Sequence, residues 1–453
     1  MPVRPSPRSP TLLAALLAAL LAGCGGSAPP AAERPPDVLL LVIDTLRADR
    51  LGSYGYPQPT SPRLDALAAA GVRFENAVAP STWTKPSMAA LFSGRYPSEL
   101  GLAGSETTEL EKTTAVLPAG VELLAERFAR GGYRTLAVLN QIHLDPRWGF
   151  ARGFEHYRRL DHYDAFGLNS ELRELLVAGD DRPVFAWLHY FDVHWPYMRQ
   201  VRGLPDDLFG PRELAVSPRI SMHEIVERMR ADPDRELAAR LSNRYDAEVR
   251  YADEAAGAML DFLERTGRLA NTIVVVTADH GEQFLEHGEF GHGNLPYDEE
   301  ARIPLLVLAP QRFGFAAGVR RTPANLLDVG PTLLELAGLA ADPTARGRSL
   351  AAALSGEESL DGAAVTQTDR AWAARGARHK LLQFTEGRRE FYELAADPGE
   401  HDDRAAAGCT GPCAALADFL EQLAGRLESG AGASSGVELT AAETERLRSL
   451  GYL

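Results

Sequence analysis

The sequence contains few cysteines, and its acidic residues outnumber its basic ones. Its 453 residues include 3 Cys, 47 Lys plus Arg and 62 Asp plus Glu, which gives a formal net charge of −15. This balance argues against a nucleic-acid partner, although a local basic pocket for an anion is compatible with it. Cys409 and Cys413 stand close together in a loop that contains Gly and Pro. Because two thiolates supply only half of a zinc site, we expect a local disulfide here.

Long apolar runs are absent beyond the first segment of the chain. No later stretch reaches the ~18 consecutive apolar residues that a membrane-spanning helix needs, so we expect nothing else to cross a membrane. Internal repeats are missing, and no low-complexity tract occurs apart from a general richness in Ala. The length is sufficient for two domains, or for one large domain with an appendage.

Residues 1–23 have the pattern of a signal peptide, with an Arg-containing start and an apolar segment that is too short to span a bilayer stably. The sequence Leu21-Ala22-Gly23-Cys24 resembles the lipobox of bacterial lipoproteins, in which Cys24 becomes the lipidated N-terminus. A plain secretory signal with a chance cysteine is the alternative. The lipoprotein interpretation makes residues 24–36 a flexible tether, and it predicts an extracytoplasmic protein held in a bacterial cell envelope by its lipid anchor.

Buried strands alternate with helices along most of the chain, which is typical of an α/β fold. The run Asp37–Ile43 is unbroken and apolar, as in a central parallel strand covered on both faces. Ser61 is the predicted cap of the first helix. Further strands are predicted over 133–139, 182–190, 271–277 and 303–309, and helices over 60–71, 121–130, 243–266 and 325–338.

The predicted strands become shorter after about residue 360. These strands cover 363–368, 380–384 and 390–394, and a helix over 413–427 follows them. The pattern indicates a small antiparallel subdomain. Residues 200–240 are polar and rich in Arg and Asp, and we predict an irregular surface insertion or lid there.

Carboxylates and histidines follow the ends of several predicted strands. Asp44 follows the first strand, Asp279 and His280 follow the strand over 271–277, and the strand over 182–190 leads into a loop with His189, Asp192 and His194. In open α/β sheets, ligands bind at the carboxyl ends of the strands, so these side chains are site candidates. Each has an ordinary alternative, because an Asp can cap a turn and a His-rich loop can be purely structural.

Residues 80–95 have the pattern of a short helix with a hydroxyl at its N-terminus. Thr84 has the place of an N-cap, Pro86 stands in the first turn, and Gly94 supplies a left-handed stop. The positive end of the helix and the charge of Lys85 favour a phosphate or sulfate in front of Thr84. A hydroxyl at such a point is a nucleophile when a base or metal lowers its pKa, and an ordinary capped helix is the alternative.

The motifs together resemble the sulfatase family of the alkaline phosphatase superfamily, over roughly residues 37–400 and in the same order. The segments that carry the likeness are Asp44-Thr-Leu-Arg-Ala-Asp49, Thr84-Lys-Pro-Ser87, His194-Trp-Pro-Tyr197, Asp279-His-Gly-Glu282, Gly291-His-Gly293 and Leu447-Arg-Ser-Leu-Gly-Tyr-Leu453. The resemblance implies an alkaline-phosphatase-like α/β core, with a large, mostly parallel central sheet sandwiched by helices, over 37–345. A small C-terminal α+β subdomain would then cover 346–453.

The resemblance also implies a divalent metal and hydrolysis of sulfate or phosphate esters through a covalent intermediate. Asp44, Asp279 and His280 match the family's metal ligands, and Thr84 matches the nucleophile, whose oxygen also reaches the metal. Lys85, His194 and His292 fall where contacts to the substrate anion or to further metal lie. Substrate-binding roles are predicted for His189, Asp192, Asn140 and Arg302. Oxygen and imidazole ligands suit Ca, Mg, Mn or Zn, and one or two ions are compatible with this residue set.

Several positions depart from the family pattern. Thr84 stands where the family has a Cys or Ser that is converted to formylglycine, Met88 replaces the accompanying Arg, and Thr45 replaces a second acid. The Lys-x-His element is missing, with Asn140 and His143 as weak substitutes. A bare Thr nucleophile resembles the phosphodiesterase, phosphonate-hydrolase and phosphoglycol-transferase branches of the superfamily. We therefore favour phosphoesters, with an anionic glycan or lipid headgroup as the substrate.

Two other functions are compatible with these residues. One is a transferase that moves a phospho-group between envelope glycolipids or glycans. The other is a non-catalytic lipoprotein that binds anions or glycans and has lost turnover.

Overall fold

The computed structural model describes residues 34–103, 115–198, 208–210, 216–217, 220–428, 440–441 and 444. The chain divides into the units Met1–Pro35 and Pro36–Leu453, and only Arg34 and Pro35 of the first unit are described. The predicted signal peptide, Cys24, almost all of the predicted tether and the motif Leu447–Leu453 therefore lie outside the described residues.

The strands of the described residues form one large sheet, a four-stranded sheet and two small ribbons. They are β1 (Asp37–Ile43), β2 (Val72–Phe74), β3 (Ala77–Val78), β4 (Arg134–Leu139), β5 (His156–Arg159), β6 (Val184–Tyr190), β7 (Thr272–Thr277), β8 (Gln283–Phe284), β9 (Phe290–Gly291), β10 (Leu305–Leu308), β11 (Gly318–Arg320), β12 (Ala324–Asn325), β13 (Ala364–Gln367), β14 (Ala371–Arg375), β15 (His379–Phe384) and β16 (Arg389–Glu393).

The α-helices range from single turns to one long helix, and none of those described has both the length and the apolar character that crossing a membrane requires. They are α1 (Pro62–Ala70), α2 (Thr84–Ser93), α3 (Leu124–Arg130), α4 (Ala165–Val177), α5 (Met222–Ala231), α6 (Arg235–Arg265), α7 (Asp298–Ala301), α8 (Val329–Leu336), α9 (Ala351–Leu354) and α10 (Pro412–Glu428). Short 3-10 turns lie at Ala48–Arg50, Gly52–Tyr54, Pro97–Leu100, Ile142–Leu144, Pro146–Trp148, Leu269–Asn271, Gln311–Phe313, Leu326–Asp328 and Ala405–Ala407.

The large sheet has the strand order β11-β2-β10-β7-β1-β6-β4-β5. Strand β1 lies in its middle and pairs in parallel with β6 and β7, and every residue of β1 is buried. Strand β10 runs antiparallel to both of its neighbours. An apolar, doubly covered strand at the centre is what the unbroken run Asp37–Ile43 predicts. The predicted α/β fold with a large, mostly parallel sheet is confirmed.

Helices cover both faces of this sheet, as the alternation of side chains along β6 shows. Phe185 stacks on Phe128 of α3 at 4.3 Å between ring centroids, and Trp187 packs on Phe92 of α2 at 4.5 Å. Tyr190 points to the opposite face, where its hydroxyl donates to Asn169 Oδ1 of α4. Because successive residues of a strand alternate between faces, α2 and α3 lie on one side and α4 on the other.

The C-terminal part forms an antiparallel sheet of order β13-β14-β15-β16 that packs against α10. A disulfide joins Cys409 to Cys413 at the start of α10, as the sequence predicts. Val365 and Leu420 belong to the same apolar cluster as Ala90 of α2, so the small sheet shares a core with the helix that begins at Thr84. Strand β14 was not predicted.

The prediction of an irregular segment over 200–240 is wrong for the part that the structure describes from residue 220 onward. Helix α5 begins after Ser221, whose side chain accepts from Glu224 N while the Glu224 carboxylate accepts from Ser221 N. Met222, Ile225 and Met229 are buried on one face of α5. The many charged residues between them hid this helical period. Helix α6 also begins earlier than predicted, at Arg235, where Asp234 caps it.

Candidate active site

Three neighbouring strands bring their carboxyl ends to one edge of the large sheet. Asp44 directly follows β1, Asp279 stands two residues beyond the end of β7, and His189 is the penultimate residue of β6. Val42 pairs in register with both His189 and Thr277. Since these strands are parallel, side chains distant in sequence meet at this edge. All three side chains are buried.

Thr84 joins them from the N-terminus of α2. Its Oγ1 lies 3.2 Å from His280 Nε2, and Gln141 Nε2 donates to it at 3.4 Å. Thr84 is the first residue of α2 and not its cap, because Trp83 holds the cap position and makes no side-chain cap hydrogen bond. The Thr84 hydroxyl therefore faces the strand ends, at the positive end of the helix. Gly94 ends α2 in the left-handed conformation with φ 67°, as predicted.

Asp279 is held by backbone donors. The N–H groups of Thr45 and His280 donate to its Oδ1 at 3.1 and 2.9 Å. Its Oδ2 has no hydrogen-bond partner among the described residues and lies 3.6 Å from His280 Nε2. His280 Nδ1 lies 2.9 Å from Gly281 O, to which it donates. The other ring nitrogen, Nε2, therefore faces Asp279 Oδ2 and the Thr84 hydroxyl.

Asp44 is held through its other oxygen. Gln141 Nε2 donates to Asp44 Oδ2 at 2.7 Å, and His189 Nε2 lies 3.3 Å from the same oxygen. Asp44 Oδ1 has no hydrogen-bond partner among the described residues and lies 3.9 Å from His280 Nε2. Two buried carboxylates thus direct unpartnered oxygens toward one imidazole nitrogen.

This donor set fits a divalent cation. Ligand atoms of Asp44, His189 and Asp279 lie within 4.8 Å of one another, and His280 Nε2, which is 3.2 Å from Thr84 Oγ1, lies near both unpartnered oxygens. Unpartnered buried carboxylate oxygens cost free energy unless a cation or donor meets them. Carboxylate and imidazole ligands suit Ca, Mg, Mn or Zn. His189, for which a substrate-binding role was predicted, belongs by position to this ligand group.

The pKa values of the two aspartates are shifted in opposite directions. Burial raises the pKa of Asp279, and the neighbouring charge of Asp44 raises it further. Burial also favours a raised pKa for Asp44, but the hydrogen bond with His189 and the charges of His194 and His280 outweigh it and hold the pKa well below its ordinary value. Two neighbouring buried carboxylates repel each other when both are ionised. A cation bound between them would stabilise their charged forms.

A second spacing match lies around His287. Its Nε2 is 3.5 Å from Glu299 Oε2, and ligand atoms of His287, Glu299 and Glu400 lie within 4.8 Å of one another. Here Lys380 already supplies a cation, because its Nζ lies 2.7 Å from Glu400 Oε1. We therefore assign no metal to this group.

His292 lies beside the cluster and pairs with a buried carboxylate. Its Nδ1 donates to Glu282 Oε1 at 2.9 Å, and the Tyr197 hydroxyl donates to Glu282 Oε2 at 3.0 Å. Burial acts to lower the pKa of His292, but Glu282 raises it to about 9. Burial and the charge of His292 lower the pKa of His194 to about 4. The His292 ring lies 4.6 Å from that of His280 and 4.9 Å from that of His194, between centroids.

Lys85 is buried, and its amino group lies over an aromatic ring. Its Nζ stands 3.9 Å from the centre of the Trp148 ring. Burial lowers the pKa of Lys85 well below its ordinary value, and Asp145 opposes that shift. The amino group therefore lies against an aromatic face, in surroundings that disfavour its charged form.

Asn140 and Arg302, two predicted substrate contacts, brace the backbone. Asn140 donates to Tyr163 O at 2.7 Å and accepts from Phe191 N at 2.9 Å. The guanidinium group of Arg302 donates twice to Glu75 O, at 3.1 and 3.2 Å. Neither contacts the Thr84 cluster in these bonds, because backbone groups take their donors and acceptors. Asp192 is buried in the loop after β6.

Sequence reasoning gave no role to Gln141 or Glu282, which the structure places at the centre. Gln141 follows the end of β4 by two residues, and β4 is the parallel neighbour of β6. The strand-end rule that found Asp44 applies to Gln141 as well. Glu282 was quoted only as part of a motif, and nothing local in the sequence indicates that it pairs with His292.

A polar cavity of about 280 Å³ opens beside Thr84. Its lining residues come from the approach to α2, from α5, from the loop of His292 and from the end of β13, and they include Trp83, Pro86, His223, Glu227, Arg230, His292, Asn294, Gln367, Thr368 and Asp369. The loop of His292 is tied to the approach to α2, since Gly293 N donates to Thr82 O at 2.9 Å.

Comparison with known proteins places this site in a family. The sequence model of the family described as Sulfatase matches residues 36–339. The chain is 25% identical over 411 residues to an ulvan-active sulfatase of Formosa agariphila, which covers 81% of this chain and 76% of that protein. It is 26% identical over 428 residues to a choline-sulfatase of Rhizobium meliloti, which covers 80% of this chain and 79% of that protein.

The structure is similar to that of a phosphonate monoester hydrolase of Agrobacterium radiobacter. The TM-score is 0.70 at 21% sequence identity, over 90% of this chain and 99% of that one, and this likeness concerns the fold. The family match spans the strand-end aspartates, Thr84 and His292. The chain therefore belongs to the sulfatase family of ester hydrolases.

Proposed function

We propose that this chain hydrolyses anionic esters through a covalent Thr84 intermediate, with phosphate esters as the favoured substrates. The observation that carries the proposal is the position of Thr84 Oγ1, which lies 3.2 Å from His280 Nε2 and shares the Gln141 amide with Asp44. A hydroxyl at a helix N-terminus, next to buried carboxylates and an imidazole, is the arrangement of an activated nucleophile.

The choice of phosphate rests on the residue at position 84. The formylglycine residue of sulfatases expels sulfate through a hemiacetal, and Thr cannot be converted to it. Met88 also stands in place of the Arg that accompanies that residue. A phospho-Thr can be broken by attack of water at phosphorus, whereas a sulfo-Thr lacks the hemiacetal route and is harder to break. This argument favours phosphate monoesters or diesters, and sulfate esters remain the family's general substrate.

Each residue has a defined task in the proposed reaction. Asp44, Asp279, His280 and Thr84 would hold a divalent cation, which supplies Lewis-acid polarisation of the ester and a lower hydroxyl pKa when bound. The Thr84 oxygen attacks phosphorus, the bond from phosphorus to the leaving oxygen breaks, and the proton of the Thr84 hydroxyl ends on that oxygen, which leaves as an alcohol. Water then attacks phosphorus, one of its protons returns to the Thr84 oxygen, and phosphate is released. His292, which pairs with Glu282 and whose ring lies 4.6 Å from that of His280, would face the oxygens on which negative charge grows.

The polar cavity supports a polar leaving group. Side chains of Asn294, Gln367, Thr368, Glu227 and Arg230 offer both donors and acceptors, and Trp83, the residue before Thr84, also lines the cavity. This lining suits an anionic ester of a glycan or of a lipid headgroup, and the carboxylates in it disfavour a strongly anionic leaving group.

Thr84→Ala and Thr84→Ser variants test the proposal. We expect wild type to cleave aryl phosphate monoesters or diesters faster than aryl sulfates. The Ala variant should lose at least about a thousandfold in kcat, since removal of a nucleophile leaves only binding and charge stabilisation, while Ser should retain measurable turnover. Mass spectrometry of wild type quenched during turnover should find the phosphoryl group on the peptide that contains Thr84. Full activity of the Ala variant would refute the role of Thr84.

A further inference from the structure

The side chain of Gln141 connects the two groups on which the proposed reaction depends. It is fully buried, and its Nε2 donates to Asp44 Oδ2 at 2.7 Å and to Thr84 Oγ1 at 3.4 Å. Its Oε1 accepts from His143 N at 3.0 Å. One amide group therefore bridges a strand-end carboxylate from β1 and the hydroxyl that begins α2.

The orientation of this amide is fixed by its partners. An ionised carboxylate only accepts hydrogen bonds, and a backbone N–H only donates them. A flipped amide would place its oxygen against Asp44 and its NH₂ group against the N–H of His143, so both contacts would become repulsive. The NH₂ group must face Asp44 and Thr84, and both of its hydrogens are then used.

This arrangement controls which oxygens remain available. Because Gln141 and His189 occupy Asp44 Oδ2, the carboxylate presents Oδ1 to Asp279 and His280. The same NH₂ group holds Thr84 Oγ1, so the nucleophile and the carboxylate keep a constant separation. Gln141 is also uncharged, and it can donate to an oxygen that gains negative charge without repelling a cation.

We propose that Gln141 is a positioning residue that fixes the Thr84 oxygen against Asp44 through its doubly donating amide. The proposal rests on the role proposed for Thr84. Partners that orient metal ligands and nucleophiles typically contribute about 10- to 100-fold to activity or metal affinity when they are removed. Gln141 belongs to this class by its contacts, although it touches neither a reacting phosphorus nor a leaving group.

Gln141→Met tests the proposal, because methionine keeps the length of the side chain and removes both donors. We expect kcat for the aryl phosphate substrate to fall about 10- to 100-fold, with KM changed by less than about threefold. Gln141→Lys restores hydrogen-bond donors but places a positive charge beside the proposed cation, so we expect it to recover only part of the lost kcat. Gln141→Glu should be the slowest, because its carboxylate would face that of Asp44. If Gln141→Met does not fold, Gln141→Asn, whose amide falls short of both oxygens, replaces it.

Two further measurements separate positioning from mere stability. Calorimetric titration of the metal-free chain with Mn²⁺ should give about tenfold weaker binding for Gln141→Met. Asn169→Leu is the matched control, since Asn169 is another buried amide that donates to Ala255 O and accepts from the Tyr190 hydroxyl. This control should lower the melting temperature and leave kcat unchanged.

The outcomes distinguish the two proposals. If Thr84→Ala is inactive and Gln141→Met keeps kcat within twofold of wild type, the role of Gln141 is wrong and that of Thr84 stands. A Gln141→Met variant that binds Mn²⁺ as tightly as wild type also refutes the positioning role. If Thr84→Ala is fully active, the proposed function itself fails.

Discussion

At the scale of single residues, the candidate site holds one conformation that a β-branched side chain rarely adopts. Thr45 has φ 55°, in the left-handed region. Such a residue costs of order 1 kcal/mol or more and persists where the surroundings fix it. Here Thr45 N donates to Asp279 Oδ1, and Thr45 O accepts from the Tyr245 hydroxyl at 2.7 Å. The strained turn therefore aims a backbone donor at a candidate metal ligand, in the place where the family carries a second acid.

A buried carboxylate next to the loop of His292 makes stability depend on pH. Glu300 accepts from Gln283 Nε2 at 2.9 Å and from Asn294 N at 3.0 Å. Burial raises its pKa to about 8, against the Asn294 hydrogen bond and the charge of His292, which lower it. Between the unfolded pKa near 4.5 and the folded value, the folded chain binds a proton that the unfolded chain does not. Glu300 therefore contributes stability that is complete below the unfolded pKa and is lost as the pH rises toward 8.

Glu300→Gln should remove this contribution, because glutamine stays neutral at every pH. We expect the free energy of unfolding, measured in urea at pH 5 and pH 8, to fall less with rising pH in the variant, by on the order of a few kcal/mol. Glu335→Gln, on an exposed position of α8, is the control and should keep the slope of wild type. An unchanged slope in Glu300→Gln would contradict the prediction.

At the scale of elements, the apolar strands at the centre of the large sheet were easier to predict from the sequence than the residues that cap the helices. Unbroken apolar runs located β1, β6 and β7, and the rule of parallel strand ends placed Asp44 and Asp279 at one edge. The short strand β14 was not predicted because its residues Ala371–Arg375 show no clear alternation of apolar and polar side chains. Helix α5 was not predicted because many charged residues separate its apolar ones. Local pattern cannot reveal a partner that arrives from a distant helix.

The cap of α1 is such a partner. Ser61 holds the predicted cap position but makes no side-chain cap hydrogen bond. Asp253 of α6 replaces it, because its carboxylate accepts from Arg63 N at 3.1 Å and from Leu64 N at 2.7 Å. Asp253 is fully buried, so both N–H groups would lose their partner together if the carboxylate were removed.

Asp253→Ala should lower the free energy of unfolding by about 2 kcal/mol, the upper range for loss of a cap. Urea denaturation of the two proteins measures the difference. Asp261→Ala is the matched control on the same helix, because Asp261 pairs with the Arg63 side chain and is 41% exposed. Surface pairs contribute less than about 1 kcal/mol, so equal losses in the two variants would show that the buried cap has no special role.

At the scale of the whole molecule, the candidate site exists only in the folded chain. Asp44 follows β1, Thr84 begins α2, Gln141 follows β4, and Asp279 follows β7, so segments more than two hundred residues apart supply one cluster. Residue types and strand ends were enough to predict that aspartates, a histidine and Thr84 meet. They were not enough to distinguish side chains that face the cluster from side chains that bond to the backbone, such as Asn140 and Arg302. That difference depends on side-chain direction, which three-dimensional packing alone determines.

This dependence on the fold predicts that a divalent cation stabilises the whole chain. A ligand that binds only the folded state adds RT ln(1 + [L]/Kd), about 2.7 kcal/mol when its concentration is a hundredfold above Kd. The melting temperature of the chelator-treated protein should therefore rise when Ca²⁺, Mg²⁺, Mn²⁺ or Zn²⁺ is added in turn, for at least one of them. Asp279→Asn should abolish that rise, because it removes the charge of an unpartnered buried oxygen. Asp253→Asn, which alters a buried carboxylate bonded to α1, should keep it. If Asp279→Asn responds to the cation as wild type does, the strand-end cluster is not where the ion binds.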